Sequence, residues 1–265
     1  VGSEMCIRDR TETEGAIRID TNPEDYSLTS QWYSAQSGQF SATRVFGVYE
    51  DLLGNEWILS DNGLGMLTAG QTTPTSYFVD AAEREKKGGQ AFYSCLEYNS
   101  EIYFGSDNGR VWCYQKENGQ FQLQNLPASS RIVSINSVEG NELIFTTAKD
   151  GFFSYQPKTK AIEHFPASRF PNASIHSVYV DKASEVWFEQ HIPGTVVHFN
   201  PRTRILKQEK VPVEPTSTDR SRPAFHIHED INGVLWVHPY GGGFSYFDRK
   251  SNSLHPFYNS LSGSD

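Results

Sequence analysis

Residues 45–67 read V-F-G-V-Y-E-D-L-L-G-N-E-W-I-L-S-D-N-G-L-G-M-L, three apolar runs separated by two turns. Val45, Val48 and Leu52 belong to the first run, which breaks at Leu53-Gly54-Asn55. Trp57-Ile58-Leu59 is the second, and Asp61-Asn62-Gly63 is a tight turn into a third, Leu64 to Leu67. Asn-Gly is the strongest short hairpin signal, because a type I′ turn needs positive φ at both central residues. The stretch predicts a three-stranded antiparallel meander.

Four later windows repeat its plan. Residues 92–114 carry the same D-N-G turn, with Tyr103 where Trp57 stands, and residues 132–155 keep G-N-E and turn at Asp150-Gly151. Residues 175–199 keep Trp187 but turn through Pro193-Gly194, and residues 224–247 restore E-D-x-x-G together with Trp236. From Trp57 through Tyr103, Ile144 and Trp187 to Trp236 the steps are 46, 41, 43 and 49 residues. After each window comes a fourth apolar stretch: Thr75 to Val79, Phe121 to Leu126, Ala161 to Phe165, Arg204 to Lys207 and Ser253 to Phe257. A period in this range with four strands per unit predicts an all-β chain, a β-propeller whose units stack face to face. It would be partial, with about five four-stranded blades plus a remnant of a sixth.

E-D-L-L-G-N-E-W-I-L-S-D-N-G-L at 50–64 and E-D-I-N-G-V-L-W-V-H at 229–238 resemble the two-component regulator propeller repeat, roughly D-x-x-G-x-L-W-I-G-T-x-x-G-G-L. The resemblance covers about residues 15–265 through repeat register. It is good in the first and fifth windows and degenerate in the third and fourth, where Ile144 replaces the Trp and Glu189-Gln190 replaces Gly-Thr. It implies the periplasmic sensor region of a hybrid two-component system of Bacteroidetes-like bacteria. In that family the propeller precedes a further β domain, a membrane span, a histidine kinase and a response regulator, so the parent protein would be anchored in the inner membrane.

Residues 1–10, V-G-S-E-M-C-I-R-D-R, have four charged side chains and no apolar run, so they are neither a signal peptide nor a membrane helix. They are similar to translated sequencing-adaptor sequence and are read as a non-native leader. Thr13 to Asp20 matches the third-strand ending of a repeat, with Trp32 and Tyr33 in the outer strand of that broken unit. Residues 11–40 are therefore read as a truncated blade. Five blades follow, at about 41–83, 84–127, 128–168, 169–213 and 214–261, and the chain is expected to be a fragment.

The net charge of −9 argues against a nucleic-acid surface, since phosphate binding needs clustered Lys and Arg. The one basic cluster, Arg84 to Lys87, is interleaved with Glu83 and Glu85 and reads as a solvated loop. No uninterrupted apolar run is long enough to span a bilayer. Beyond Cys6, Cys95 and Cys113 would lie on first and third strands of one blade, which are not neighbours, so each reads as a small buried hydrophobe.

A search for catalytic constellations finds no G-x-S-x-G, H-E-x-x-H, P-loop or C-x-x-C, and Gly241-Gly242-Gly243 lacks a strand-to-helix setting. His226-Ile227-His228 would put two imidazoles on one strand face, with His238 from a neighbouring strand as a third ligand for a transition metal. Eight histidines in 265 residues make such a pair unsurprising, so no metal is assigned. Glu50-Asp51 and Glu229-Asp230 recur at matching turn positions, which turn chemistry explains better than acid–base catalysis.

Trp57, Tyr103, Trp187 and Trp236 are read as ring packing between blades, and Gly63, Gly109 and Gly151 as turn glycines. Ligand-binding candidates are taken from the loops where second turns and inter-blade links converge: Arg44, Arg131, Lys149, His191, Arg222 and Tyr240. The expected function is ligand sensing, with a glycan-derived ligand, no catalytic residue and no cofactor in this region. The expected partners are an oligosaccharide, the rest of the sensor-kinase chain and a second copy in a homodimer, with no nucleic acid and no membrane contact. Two alternatives stay open, a propeller enzyme acting on polysaccharide as lyase or glycosidase and a protein-interaction propeller.

Overall fold

A computed structural model describes residues 6–11, 15–20, 42, 44–69, 71, 74–78, 91–170, 175–190, 195–211, 225–239 and 244–257. The chain forms two compact units, Val1–Ile135 and Asn136–Asp265. In the first, β1 (Cys6–Thr11) and β2 (Gly15–Asp20) make a two-stranded antiparallel sheet. Residues 6–10, which the sequence sets apart from the repeats, thus supply most of β1.

Five four-stranded antiparallel sheets follow in chain order. The first holds β3 (Val45–Glu50), β4 (Glu56–Ser60), β5 (Gly63–Leu67) and β6 (Thr75–Tyr77). The second holds β7 (Phe92–Tyr98), β8 (Glu101–Ser106), β9 (Val111–Gln115) and β10 (Gln120–Gln124). The third holds β11 (Ile132–Val138), within which the unit boundary falls, β12 (Glu142–Thr147), β13 (Phe152–Gln156) and β14 (Ala161–Phe165). The fourth holds β15 (Ile175–Val180), β16 (Val186–Gln190), β17 (Thr195–Asn200) and β18 (Ile205–Lys210). The fifth holds β19 (Phe225–Glu229), β20 (Leu235–Pro239), β21 (Phe244–Asp248) and β22 (Ser253–Phe257).

The expected β-propeller is corrected by this topology: the five sheets are separate, the strand pairing of each stays within it, and none is closed. Turn chemistry and alternating burial act over a few residues, so a repeat in the sequence dictates a repeated meander. Closure depends on contacts between distant units, which no local pattern encodes.

Burial explains the order of strands within a sheet. The second strands β4 and β16 are buried at every residue, each around an apolar triplet that carries the Trp, with Glu56, Ser60, Glu189 and Gln190 buried beside it. The fourth strand β14 is exposed at four of its five residues. Each second turn is closed by a hydroxyl in the first three sheets. Ser60 Oγ donates to Gly63 O at 2.9 Å, Ser106 Oγ to Arg110 O at 2.9 Å and Thr147 Oγ1 to Gly151 O at 2.8 Å. Gly63, Gly109 and Gly151 have φ of +100°, +78° and +86°. A Cβ on Gly151 would also lie 2.1 Å from Phe165 O, and one on Gly63 2.4 Å from Tyr77 O.

The first turn is built differently, around a carboxylate. Asp51 Oδ1 accepts the backbone N–H of Leu53 (2.9 Å) and Asn55 (3.0 Å), while its Oδ2 accepts the indole N–H of Trp57 at 3.1 Å. Asp181 does the same for Ala183, Glu185 and Trp187, and Asp230 for Asn232, Val234 and Trp236. One side chain therefore closes the turn and fixes the ring six residues on. Burial pushes the Asp51 carboxyl up, but the hydrogen bonds from Asn55, Trp57 and Leu53 outweigh it and hold it below its ordinary value of 3.8.

The fixed rings fill the space between neighbouring sheets. In the first unit Trp57 is fully buried against Phe104 (4.9 Å) and Tyr114 (4.8 Å) of the second sheet. In the second unit Trp187 stacks on His198 at 4.2 Å and meets Phe247 of the fifth sheet at 4.9 Å. His198 itself lies between carboxylates, Nδ1 at 3.1 Å from Glu185 and Nε2 at 3.3 Å from Glu209, and its bond helps hold the Glu185 carboxyl low. Phe152 joins the third sheet to the fourth through Phe188 (5.1 Å) and Phe199 (4.8 Å). Burying a ring of this size contributes about 3 kcal/mol.

Polar clamps sit beside these rings. At the first pair of sheets, Glu97 accepts Tyr49 Oη at 3.1 Å and Leu52 N at 2.9 Å, and Lys116 bonds Glu97 while standing 3.8 Å from Asp51. Burial and Glu97 push the Tyr49 hydroxyl up to about 12, so it remains a donor. The fourth and fifth sheets repeat the arrangement: Glu229 accepts Lys182 N at 2.7 Å, and Arg249 reaches Asp181 at 3.0 Å and Glu229 at 3.4 Å.

Asp51→Ala strands Trp57 N–H and Lys116 in a buried setting and should cost about 3 kcal/mol in urea unfolding; Asp230→Ala, at an open turn, should cost measurably less, and equal losses would refute the role of burial. Since the folded Asp51 carboxyl lies below 3.8, its stabilisation is complete above that pH and should be lost as pH falls through the folded value, a dependence that Asp51→Asn should flatten. Gly151→Ala should lower stability by about 2 kcal/mol, whereas Gly140→Ala, at φ +87° with nothing within 4 Å, should cost clearly less.

Candidate functional site

Three first strands carry a β-bulge at the same place. The register of β3 passes from Val45↔Ser60 to Gly47↔Leu59, leaving Phe46 as the extra residue. In β7 it passes from Phe92↔Ser106 to Ser94↔Gly105, leaving Tyr93, and in β15 from Ile175↔Gln190 to Ser177↔Glu189, leaving His176. A bulge re-aims the side chain that it frees. Phe46 and Tyr93 are thereby brought together as stacked rings, 4.1 Å between centroids and 29° between planes. The Arg131 guanidinium lies over the other partner of that pair, 4.8 Å from the Tyr93 ring centre.

Small residues make this row attainable. Gly105 has no room for a Cβ, which would lie 2.5 Å from Ser94 Oγ and 2.6 Å from Ile132 Cβ. The start of β11 therefore approaches the second sheet closely, Ser94 Oγ donates to Ile132 O at 3.2 Å, and Arg131 is delivered onto Tyr93. The rings are half-buried and Arg131 is exposed. Asp61 N donates to Arg44 O at 3.1 Å and Asp107 N to Ala91 O at 3.0 Å, which ties the second turns to the starts of the first strands. This end of the first unit thus combines an aromatic pair, a guanidinium stacked on it and turn carboxylates. The combination suits a polyol ring, with its C–H face on an aromatic and its hydroxyls on charged donors and acceptors.

Of the candidates read from sequence, Arg131 belongs to this row and Arg44 occupies the equivalent position before β3, exposed. Lys149 is exposed in the second turn of the third sheet, in the other unit. His191, Arg222 and Tyr240 lie outside the described residues. Sequence reasoning missed Phe46 and Tyr93. Their signal was an apolar–ring–small triplet opening the window, V-F-G at 45–47, F-Y-S at 92–94 and I-H-S at 175–177.

The histidines of the fifth sheet come near one another without forming a ligand set. His226 and His238 are 5.3 Å apart between ring centres, His228 and His238 6.3 Å, and His226 Nδ1 is 3.8 Å from Glu189 Oε2. Glu189 is already held by Ile227 N at 2.8 Å and by Ser177. No group of three or more His, Cys, Asp or Glu able to hold a metal occurs among the described residues. Asp51 and Asp230 are the turn carboxylates described above. Cys95 and Cys113 are not joined in a disulfide, and burial pushes the Cys95 thiol up to about 12. Among the described residues no helix is long and apolar enough to cross a membrane.

No family model and no curated protein matches the chain. Solved structures do. The extracellular domain of the proposed hybrid two component system BT4673 from B. thetaiotaomicron is 14% identical with a TM-score of 0.56, over 95% of this chain and 40% of its own. The virginiamycin B lyase of Staphylococcus aureus is 16% identical with a TM-score of 0.64, over 96% of this chain and 84% of its own. The computationally designed Ika8 protein is 11% identical with a TM-score of 0.59, over 93% of this chain and 69% of its own. At these identities the likeness is one of fold. The chain spans 40% of the length of the two-component domain that it matches.

Proposed function

We propose that this chain is a ligand-sensing region of an extracytoplasmic sensor, that its ligand is glycan-derived, and that the row of Phe46, Tyr93 and Arg131 reads it. The observation that carries the reading is the row itself, two stacked rings presented by bulges and a guanidinium lying over one of them. The likeness in fold to the extracellular domain of a two-component system supports the setting, in which a histidine kinase of the same polypeptide or a partner chain would be the recipient of the signal.

The row draws on three structural elements, Phe46 from the first sheet, Tyr93 from the second and Arg131 from the approach to β11. A saccharide that touches all three binds best when they are held in one arrangement. Its binding energy therefore biases the packing of the sheets, which is the form a transmitted signal must take. A second reading has its own support. The fold likeness to the lyase covers most of both chains, and an enzyme acting on polysaccharide would use the same end of the sheets.

Calorimetric titration with a panel of neutral and acidic oligosaccharides separates these readings. Binding of at least one member is expected without turnover, with Tyr93→Ala and Arg131→Ala each weakening it about tenfold, the worth of one ring or cation–π contact. Failure of the whole panel, or variants that bind as tightly as the parent, would sink the sensing site; release of shortened or unsaturated sugars would establish the enzyme.

A further inference from the structure

Three arginines of the second unit are bound to carboxylates of the chain itself. Arg202 donates to Glu139 at 2.8 Å, Arg204 to Glu142 at 2.6 Å and to Glu163 at 3.1 Å, and Arg249 to Asp181 at 3.0 Å and Glu229 at 3.4 Å. Arg44 and Arg131, at the bulge end of the first unit, differ. Both are exposed, and among the described residues neither has a carboxylate within 4.0 Å or a side-chain hydrogen bond. They hold one register position, directly before a first strand, in R-V-F-G at 44–47 and R-I-V-S at 131–134. In a chain with 32 acidic residues, these two guanidiniums are left for something outside it.

Tyr93 decides how Arg131 is offered. The guanidinium carbon lies 4.8 Å from the ring centre, and Phe46 stacks on the same tyrosine at 4.1 Å. Contact with a ring face uses none of the N–H donors of a guanidinium, and its planar fork matches the two oxygens of a carboxylate. We infer that the saccharide read by this row carries a carboxylate, as a uronic acid does. Arg131 takes both carboxylate oxygens, while the sugar ring lies against the Tyr93–Phe46 pair. The inference rests on the reading of the row as a saccharide site and names the class of sugar.

The carboxylates at the same end narrow the class further. Asp61 and Asp107 stand in the second turns, where their backbone N–H groups bond Arg44 O and Ala91 O, and neither side chain pairs with Arg44 or Arg131. Two guanidiniums and two carboxylates leave these four side chains with no net charge, on a chain of net −9. A polyanion such as a heavily sulfated chain therefore gains nothing from the local field and is repelled by the whole. A single carboxylate does gain. Its contact with Arg131 is made at hydrogen-bond distance, whereas Asp61 and Asp107 stand beyond ion-pair distance of that guanidinium and act through solvent. The turn carboxylates are left to accept from sugar hydroxyls.

Calorimetric titration of the full 265-residue chain tests this with galacturonate, glucuronate and mannuronate oligomers, each beside its neutral methyl ester. At least one uronate is expected to bind about tenfold more tightly than its own ester. Arg131→Gln should remove that preference and leave binding of the ester unchanged. Arg131→Lys keeps the charge without the fork and should restore only part of the preference. Tyr93→Ala should weaken acid and ester alike, and all three variants should keep the parent circular dichroism spectrum. An ester held as tightly as its acid, or a preference that survives Arg131→Gln, overturns the inference and leaves the row a site for neutral saccharides. A sulfated galacto-oligosaccharide that binds more tightly than every uronate overturns it too, in favour of a sulfate. If no acid, ester or neutral oligosaccharide binds, the saccharide reading of the row falls and this inference with it.

Discussion

A carboxylate at the first turn, buried at Asp51 and Asp181 and more open at Asp230, is what three of the five sheets are hung on. Asp51, Asp181 and Asp230 each accept two backbone amides and an indole N–H, so a single side chain closes the turn, sets the register of the first two strands and orients the ring that will separate two sheets. Tryptophan suits the position because it offers a large apolar body with one donor that the carboxylate can reach. The pair is absent from the second sheet, where Tyr103 donates to Glu101 at 2.6 Å, and from the third, where Ile144 sits buried in its place and the contact with the fourth sheet passes to phenylalanines and to the Arg204–Glu142 pair at 2.6 Å. Packing then substitutes for a fixed ring.

The clamps beside the tryptophans show why adjacent sheets do not slide freely. Glu97 with Lys116, and Glu229 with Arg249, connect the turn of one sheet to the strand ends of the next at equivalent positions. An acid that faces another acid across a sheet boundary needs a cation between them, and in both places the residue following the third strand supplies it. The same geometry leaves the opposite ends of the first strands free to bulge. Phe46 and Tyr93 are set out of register there, and the strand pairing resumes on either side of each.

Much of the local structure was legible in residues. D-N-G at 61–63 and 107–109 announces a turn that only glycine can complete, and the apolar run W-I-L at 57–59 announces a strand covered on both faces. The recurrence of Asp six residues before Trp was visible too, although its meaning as a hydrogen bond was not. Arg131 could be picked out as a cation in a converging loop. Its ring partner could not, since Tyr93 reads as one more apolar residue of a strand until the bulge is seen.

What the sequence by itself determined is the repeated meander: which runs are strands, where they turn, and which large side chains lie at the same height in successive units. Those features depend on backbone torsion, turn chemistry and strand alternation, and all three act within a few residues. The tertiary structure alone decided that the five sheets remain separate and unclosed, that two bulges join Phe46 to Tyr93, and that Trp236 is held like its counterparts yet left open. Each of these turns on contacts between residues about 45 positions apart or more, where the balance is struck by packing and desolvation, and a repeating sequence offers the same face to every neighbour without saying which will be met.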